Sequence, residues 1–222
     1  MRRSGEWGFK STTNLPVATS KIQALLFDLG GVVVEIDFNR AFAHWQPISR
    51  LSLAELKAAF TFDAPYQRHE RGEITANEYF VHLAQHLQLQ DDLARIAEGW
   101  NSIFIAEITE TLRMIETARA KQPCYAFTNT NAAHKAAWSA KFPAVVQAFD
   151  HIFVSSEIGH RKPDRSAFEF VARSVGVPME SILFFDDTLE NVEGALASGL
   201  EAVHVRGPED VKAALQRLGC AV

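Results

Sequence analysis

The sequence predicts an α/β protein in which a parallel-sheet core is interrupted, after its first strand, by a small all-helical segment. Three observations carry this reading. From about Glu107 onward, short apolar runs alternate with stretches of helical periodicity, which signals βαβ units and a parallel sheet. Between Val34 and that point the periodicity is helical, and no β-rich run breaks it. Finally, three apolar runs end in polar groups. Ile22–Phe27 ends in Asp28, Cys124–Phe127 in Thr128-Asn129-Thr130-Asn131, and Ile182–Phe185 in Asp186-Asp187. Ligands of open α/β sheets bind beyond the carboxyl ends of the strands, so a site is expected where these runs stop.

Taken in order, Ile22–Phe27 and Val32–Val34 read as strand, with Gly30-Gly31 making a sharp turn between them. Asp37 is a candidate N-cap for a helix beginning at Phe38–Trp45. Ser52-Leu53-Ala54-Glu55 and Thr75-Ala76-Asn77-Glu78 are candidate capping boxes, and Asp91 or Asp92 opens the next helix. The core then reads as helix Ile108–Ala120, strand Cys124–Phe127, helix Ala132–Lys141 and strand His151–Val154. Helix Arg165–Val175, strand Ile182–Phe185, helix Leu189–Ser198, strand Ala202–Val205 and helix Glu209–Leu218 complete it. Gly176 and Gly199 fall where helices should end.

Composition bounds the function. The chain has 222 residues, 47% hydrophobic and 22% charged, enough for a substantial core plus a small insert. A net charge of −5 with no basic stripe argues against a nucleic-acid partner. No run approaches the roughly 18 apolar residues of a membrane span, so no membrane partner is expected. Two cysteines, Cys124 and Cys220, make no disulfide framework, which suits a reducing, cytoplasmic setting. Residues 1–20 carry Arg2, Arg3, Lys10 and a Ser/Thr cluster without a signal-like apolar core, and are expected to be a flexible extension.

The polar strand ends carry the chemistry. An ionised aspartate closing a buried strand is costly unless something uses it. Asp28 therefore stands where a nucleophile or a metal ligand would stand, the plainer alternative being a turn or cap aspartate. Lys162, in Arg161-Lys162-Pro163-Asp164, lies between the second and third of these ends in the sequence. Carboxylates bind a hard cation through oxygen, while a hydroxyl, an amide and an ammonium can hold phosphate oxygens, so the set is coherent.

In their order along the chain, Asp28, Thr128, Lys162 and Asp186-Asp187 resemble the four motifs of the haloacid dehalogenase (HAD) superfamily, from about Ile22 to the end. Five segments look like a bacterial branch of it: Asp28-Leu29-Gly30, Glu35–Arg40, His69–Ile74, Thr128–Asn131, and Phe184–Asp187 with Asn191–Ala195. That branch contains α-D-glucose-1-phosphate phosphatases and lies near the phosphatase domains of bifunctional epoxide hydrolases. The resemblance implies a Rossmann-like core at residues 21–36 and 106–222 with a helical type-1 cap at 37–105. It further implies Asp28 as a nucleophile forming an aspartyl-phosphate, and Mg²⁺ held by Asp28, the Gly30 carbonyl and Asp187, with Asp186 or Asn191 ordering a water. Thr128, Asn129 and Lys162 would meet the phosphate, Lys162 also serving catalysis by neutralising transition-state charge. Glu70 in the cap would touch the substrate, a small phosphorylated metabolite such as glucose 1-phosphate. A monomer or a homodimer is expected.

One position departs from the family pattern. Most family phosphatases carry a second aspartate two residues after the nucleophile as general acid and base, and this chain has Gly30 there. Losing such a group commonly costs about 10²–10⁴-fold in rate. Glu35, Asp37 and Glu70 are candidate replacements, with helix-capping or surface roles as the alternative. An anomeric hydroxyl, being a better leaving group than a plain alcohol, would need less help. The cluster His69–Glu73 is expected to be too polar for a core, and Phe60, Phe62, Tyr66 and Trp100 to form cap core rather than a sugar platform. Two other functions compete: a phosphate-ligand-binding protein that has lost turnover, and a metal-free 2-haloacid dehalogenase, against which the Asp186-Asp187 pair argues.

Overall fold

The structure, a computed structural model, describes residues 22–222. The expected extension over residues 1–20 lies outside the described residues. In chain order the first elements are β1 (Ala24–Phe27), β2 (Val34–Ile36), α1 (Phe38–Trp45), α2 (Leu53–Ala59), α3 (Ala64–Glu70), α4 (Ala76–His86), α5 (Leu93–Asn101) and β3 (Phe104–Glu107). They are followed by α6 (Thr109–Arg119), β4 (Cys124–Thr128), α7 (Ala132–Lys141), α8 (Pro143–Gln147), β5 (His151–Val154) and α9 (Ser155–Ile158). The last are α10 (Arg165–Val175), β6 (Ile182–Asp186), α11 (Leu189–Ser198), β7 (Glu201–His204) and α12 (Pro208–Arg217).

Five strands form a parallel sheet in the order β5-β4-β1-β6-β7, a Rossmann-like arrangement. Helices cover both faces of such a sheet, which is why β1 and β6 are buried at every residue and read as continuous apolar runs. From β1 the chain builds outward through β4 and β5, then crosses back to β6 on the other side of β1 and on to β7, so the strand order reverses between β1 and β6 and opens a crevice at the strand ends. Phe27 is in register with Ala126 and Phe185. Asp28 thus comes level with Phe127 and Asp186, its amide donating to the Phe185 carbonyl at 2.8 Å. Register alone places the polar ends of three strands side by side.

β2 and β3 pair antiparallel, Val34 opposite Glu107, and the five helices α1–α5 lie between them. Their starts follow the expected chemistry. Asp37 caps α1, Asp92 caps α5, and both capping boxes are complete at Ser52/Glu55 and Thr75/Glu78. Gly176 and Gly199 end α10 and α11 in the left-handed conformation.

Three expectations are corrected. Val32 and Val33 belong to a turn rather than a strand: Gly31, at φ +72°, reverses the chain, and the Val33 and Val34 amides both donate to the Leu29 carbonyl at 2.8 Å. His69 and Glu70 are not kept out of the core by polarity. They end helix α3 and are 3% and 4% exposed, because Glu70 pairs with Arg161 and His69 stacks on Tyr79 at 4.6 Å. Phe62, expected as core, is 59% exposed. Among the described residues no helix is long and apolar enough to cross a membrane.

Candidate active site

The carboxyl ends of β1, β4 and β6 open onto a cavity of about 470 Å³ whose opposite wall comes from the helical segment. All seven residues expected at the site line it: Asp28, Gly30, Glu70, Thr128, Asn129, Lys162 and Asp187. Of the candidate replacements for the missing acid, Glu70 is the one that does so. Asp37 spends a carboxylate oxygen on the Asn39 amide at 2.8 Å, and neither it nor Glu35 lines the cavity.

Lys162 is the centre of the charge arrangement. Its ammonium donates to Asp28 Oδ1 at 2.8 Å, to Asp186 Oδ2 at 2.7 Å and to the Phe127 carbonyl at 2.8 Å, and the residue is 1% exposed. Three donors are thereby spent on protein oxygens, so Lys162 acts on a bound ligand through its charge. Burial alone would lower its pKa, but the flanking Asp186 and Asp28 carboxylates outweigh burial and hold it above the ordinary lysine value. The loop bearing Lys162 is clasped by Asn129, whose amide donates to the Lys162 carbonyl at 2.8 Å and accepts from the Lys162 amide at 2.9 Å. Sequence reasoning assigned Asn129 to the ligand. Its side chain is committed to the lysine loop, and the residue lines the cavity.

Asp186 is fully buried and fully partnered, with the Thr188 amide at 2.8 Å and Asn191 Nδ2 at 3.1 Å besides Lys162. Asp187 is more open, its Oδ1 accepting from the Thr188 hydroxyl at 3.2 Å. Gly31 makes room for it: a Cβ at that residue would stand 2.1 Å from Asp187 Oδ2, and the positive φ separately favours glycine. At Gly30 a Cβ would meet Ile36 Cδ1 at 3.0 Å, so the end of the Ile36 side chain would have to give by a few tenths of an ångström to admit a side chain there.

Carboxylate oxygens of Asp28, Asp186 and Asp187 lie within 4.8 Å of one another. Burial pushes the Asp28 carboxyl up to about 7; Asp186 and Asp187 push the same way and Lys162 opposes them. Asp187 is raised as well, by burial and by Asp186. With all three carboxylates ionised against one ammonium the site would carry two negative charges in a confined space, and a divalent cation would favour that state by balancing them. The donors are hard oxygens, as Mg²⁺ requires. The residues present therefore fit that ion.

Sequence reasoning missed Arg161, Tyr66, Phe62 and His134 as cavity-lining residues. Arg161 clamps Glu70 Oε2 through Nε at 3.0 Å and Nη2 at 2.9 Å, linking the segment before Lys162 to α3. His134 stacks on Trp100 at 4.5 Å, and its Nε2 donates to the Trp100 carbonyl at 2.9 Å. A carbonyl only accepts, so Nε2 carries the proton; burial pushes the ring's pKa down to about 3. Arg161 adjoins Lys162 in sequence, but nothing in the sequence pairs it with a residue 91 positions away.

A profile of the haloacid dehalogenase-like hydrolases matches residues 22–199. The chain belongs to that family. It is 25% identical over 188 residues to a D-ribitol-5-phosphate phosphatase of Bacteroides thetaiotaomicron, covering 81% of this chain and 90% of that protein. It is 27% identical over 204 residues to a drimenol cyclase of Aspergillus calidoustus, covering 89% of this chain but spanning only 36% of that longer protein. Among solved structures, a HAD family enzyme of Bacteroides thetaiotaomicron in complex with magnesium and inorganic phosphate superposes with a TM-score of 0.72 at 27% identity. The match covers 82% of this chain and 92% of that one.

Proposed function

We propose that this HAD hydrolase is a Mg²⁺-dependent phosphatase of small phosphomonoesters, with sugar phosphates such as glucose 1-phosphate as substrates and Asp28 as the nucleophile. The observation that carries the reading is the nest of three carboxylates around Lys162 at the ends of β1 and β6. Nothing in simple stability favours placing two of these groups beyond the reach of solvent, whereas phosphoryl transfer uses all of them. The phosphatase relative and the magnesium- and phosphate-bound neighbour support it.

Asp28, the Gly30 carbonyl and Asp187 are the ligands we assign to Mg²⁺, which when bound supplies the positive charge that lets two anions approach. Asp28 attacks phosphorus as the bond from phosphorus to the alcohol oxygen breaks, that oxygen taking a proton from water, and water then cleaves the aspartyl-phosphate to release inorganic phosphate and regenerate the Asp28 carboxylate. Thr128 and the backbone of Asn129 face the phosphoryl oxygens. Lys162 holds Asp28 in place through Oδ1 and adds its charge to the field at the transferring group. With Gly30 in the position of the usual acid, leaving groups that need little protonation are favoured, an anomeric hydroxyl among them. Residues 37–105 serve as the cap over a catalytic body formed by 21–36 and 106–222. Glu70 reaches from that cap toward substrate hydroxyls.

The test is phosphate release from a panel of sugar phosphates, with Mg²⁺ and with EDTA, by wild type and Asp28→Asn. Hydrolysis abolished by EDTA and reduced by roughly 10⁴-fold or more in the variant is the expected result. Turnover that survives either change would overturn the assignment.

A further inference from the structure

The aromatic residues of the helical segment fall into two groups. Trp45, Tyr79 and Trp100 are at most 1% exposed and pack the interior. Phe62, between α2 and α3, is 59% exposed and lines the same cavity as Asp28. Its neighbours Phe38, Phe60 and Tyr66 lie at 6.2, 5.8 and 4.9 Å between ring centroids, with interplanar angles of 80°, 82° and 63°. All three contacts are edge-to-face rather than parallel. Three rings brace Phe62, and its 59% exposure leaves apolar surface open where it lines the cavity.

The same cavity also has a polar wall. Gln67, Glu70 and Arg161 line it; both guanidinium contacts to Glu70 fall on Oε2, and the Tyr66 hydroxyl is a further partner of that carboxylate, so this wall is charged and hydrogen-bonding. A wholly apolar alcohol would cover this buried pair without replacing its hydration, which is costly. An open-chain polyol would set hydroxyls against Phe62 and would lose its torsional freedom on binding. A saturated sugar ring has a C–H face and a hydroxyl edge, and so matches both walls at once.

We propose that the alcohol half of the substrate is a cyclic sugar or cyclitol, with Phe62 as a specificity-determining residue that stacks on its C–H face while Glu70 and Arg161 take the hydroxyl edge. The inference rests on the phosphatase reading of the site and narrows it to ring-bearing substrates.

The experiment measures kcat/KM with Mg²⁺ on glucose 1-phosphate, ribitol 5-phosphate and phenethyl phosphate, for wild type, Phe62→Ala and Phe62→Tyr. Leaving-group differences cancel when each variant is compared with wild type on the same substrate. Phe62→Ala is expected to lose roughly tenfold on glucose 1-phosphate, chiefly through KM, and several-fold less on ribitol 5-phosphate. Phe62→Tyr, which keeps the ring, should retain the glucose 1-phosphate activity. Equal losses on the cyclic and open-chain substrates would overturn the inference alone. So would a larger loss on phenethyl phosphate than on the sugar, since that outcome identifies an apolar substrate. Absence of turnover on all three would defeat the phosphatase reading and this inference with it.

Discussion

The strand ends and the helical segment bury polar groups in opposite ways. At the strand ends Lys162, Asp28, Asp186 and Asn191 are all buried, and each side chain has a partner within 3.1 Å. In the helical segment the filling is aromatic, and polar atoms are left over. Of the five buried side-chain polar atoms without a hydrogen bond among the described residues, His44 Nε2, His69 Nε2, Trp100 Nε1 and Asn101 Oδ1 lie there, and none lies at the site. Ionic partners at the strand ends specify one geometry, as a nucleophile requires. Aromatic packing tolerates adjustment, which suits a wall that has to fit a ligand. The contrast predicts that equal-sized substitutions in the two regions will have unequal consequences.

The largest effect on stability should come from Lys162→Met. Its removal leaves Asp28 and Asp186 facing each other, unpaired in a buried site, and breaking a buried pair in this way costs about 3–5 kcal/mol. Urea unfolding at neutral pH without added metal should show a loss of that size. The deficit should shrink on addition of Mg²⁺, because a cation would restore the missing charge. A variant as stable as wild type would mean that the ammonium is not what holds the carboxylates together.

The same contrast explains what was legible in the sequence. Helices Ala132–Lys141, Arg165–Val175 and Leu189–Ser198 have the expected bounds, since their caps and periodicity are local properties. The grouping of Asp28, Thr128, Lys162 and Asp187 was legible because apolar runs end in polar residues and a parallel sheet brings such ends together. The two-stranded ribbon β2–β3 was half missed, because β3 begins three residues after the end of α5 and its short run reads as a continuation of that helical stretch. The burial of Glu70 depends on Arg161 in another part of the chain, and Phe62 is left exposed by geometry that no local pattern encodes. The clasp of the Asn129 side chain on the Lys162 backbone, 33 residues away, is encoded by no local pattern.

Acid should sharpen the comparison, with an effect of intermediate size. Burial holds His134 at about 3 and His69 at about 4, both below the ordinary value of 6.5. Between those values and 6.5 the unfolded chain binds protons that the native chain does not. Stability therefore falls as pH is lowered through that window, by up to about 1.4 kcal/mol per unit for each ring. Asp28 has the opposite sign. Pushed up to about 7, it holds a proton in the native state that the unfolded chain gives up until 3.8, and so it gains stability as pH falls from 7. Comparing wild type with His134→Gln isolates one ring and cancels the other two groups. Between pH 7.5 and 5 wild type should lose about 2 kcal/mol more than the variant. Equal losses would show that His134 titrates normally.

The smallest effect concerns the join between the regions. Asp63 caps α3 by accepting from the Tyr66 amide at 2.9 Å, and its other oxygen meets His82 Nε2 at 2.9 Å. Helix α3 carries Tyr66 and Glu70, so this cap sets the position of much of the wall opposite Asp28. Asp63→Ala should cost about 1 kcal/mol, the usual loss for an N-cap. Asp63→Asn keeps an acceptor for the Tyr66 amide and should restore most of that stability. If the alanine variant also raises KM for glucose 1-phosphate with little change in kcat, the cap acts through the wall it positions and not through the chemistry at the strand ends. A fall in kcat alone would mean that the two walls are mechanically coupled, and the separation drawn between a fixed ionic face and an adjustable aromatic one would have to be given up.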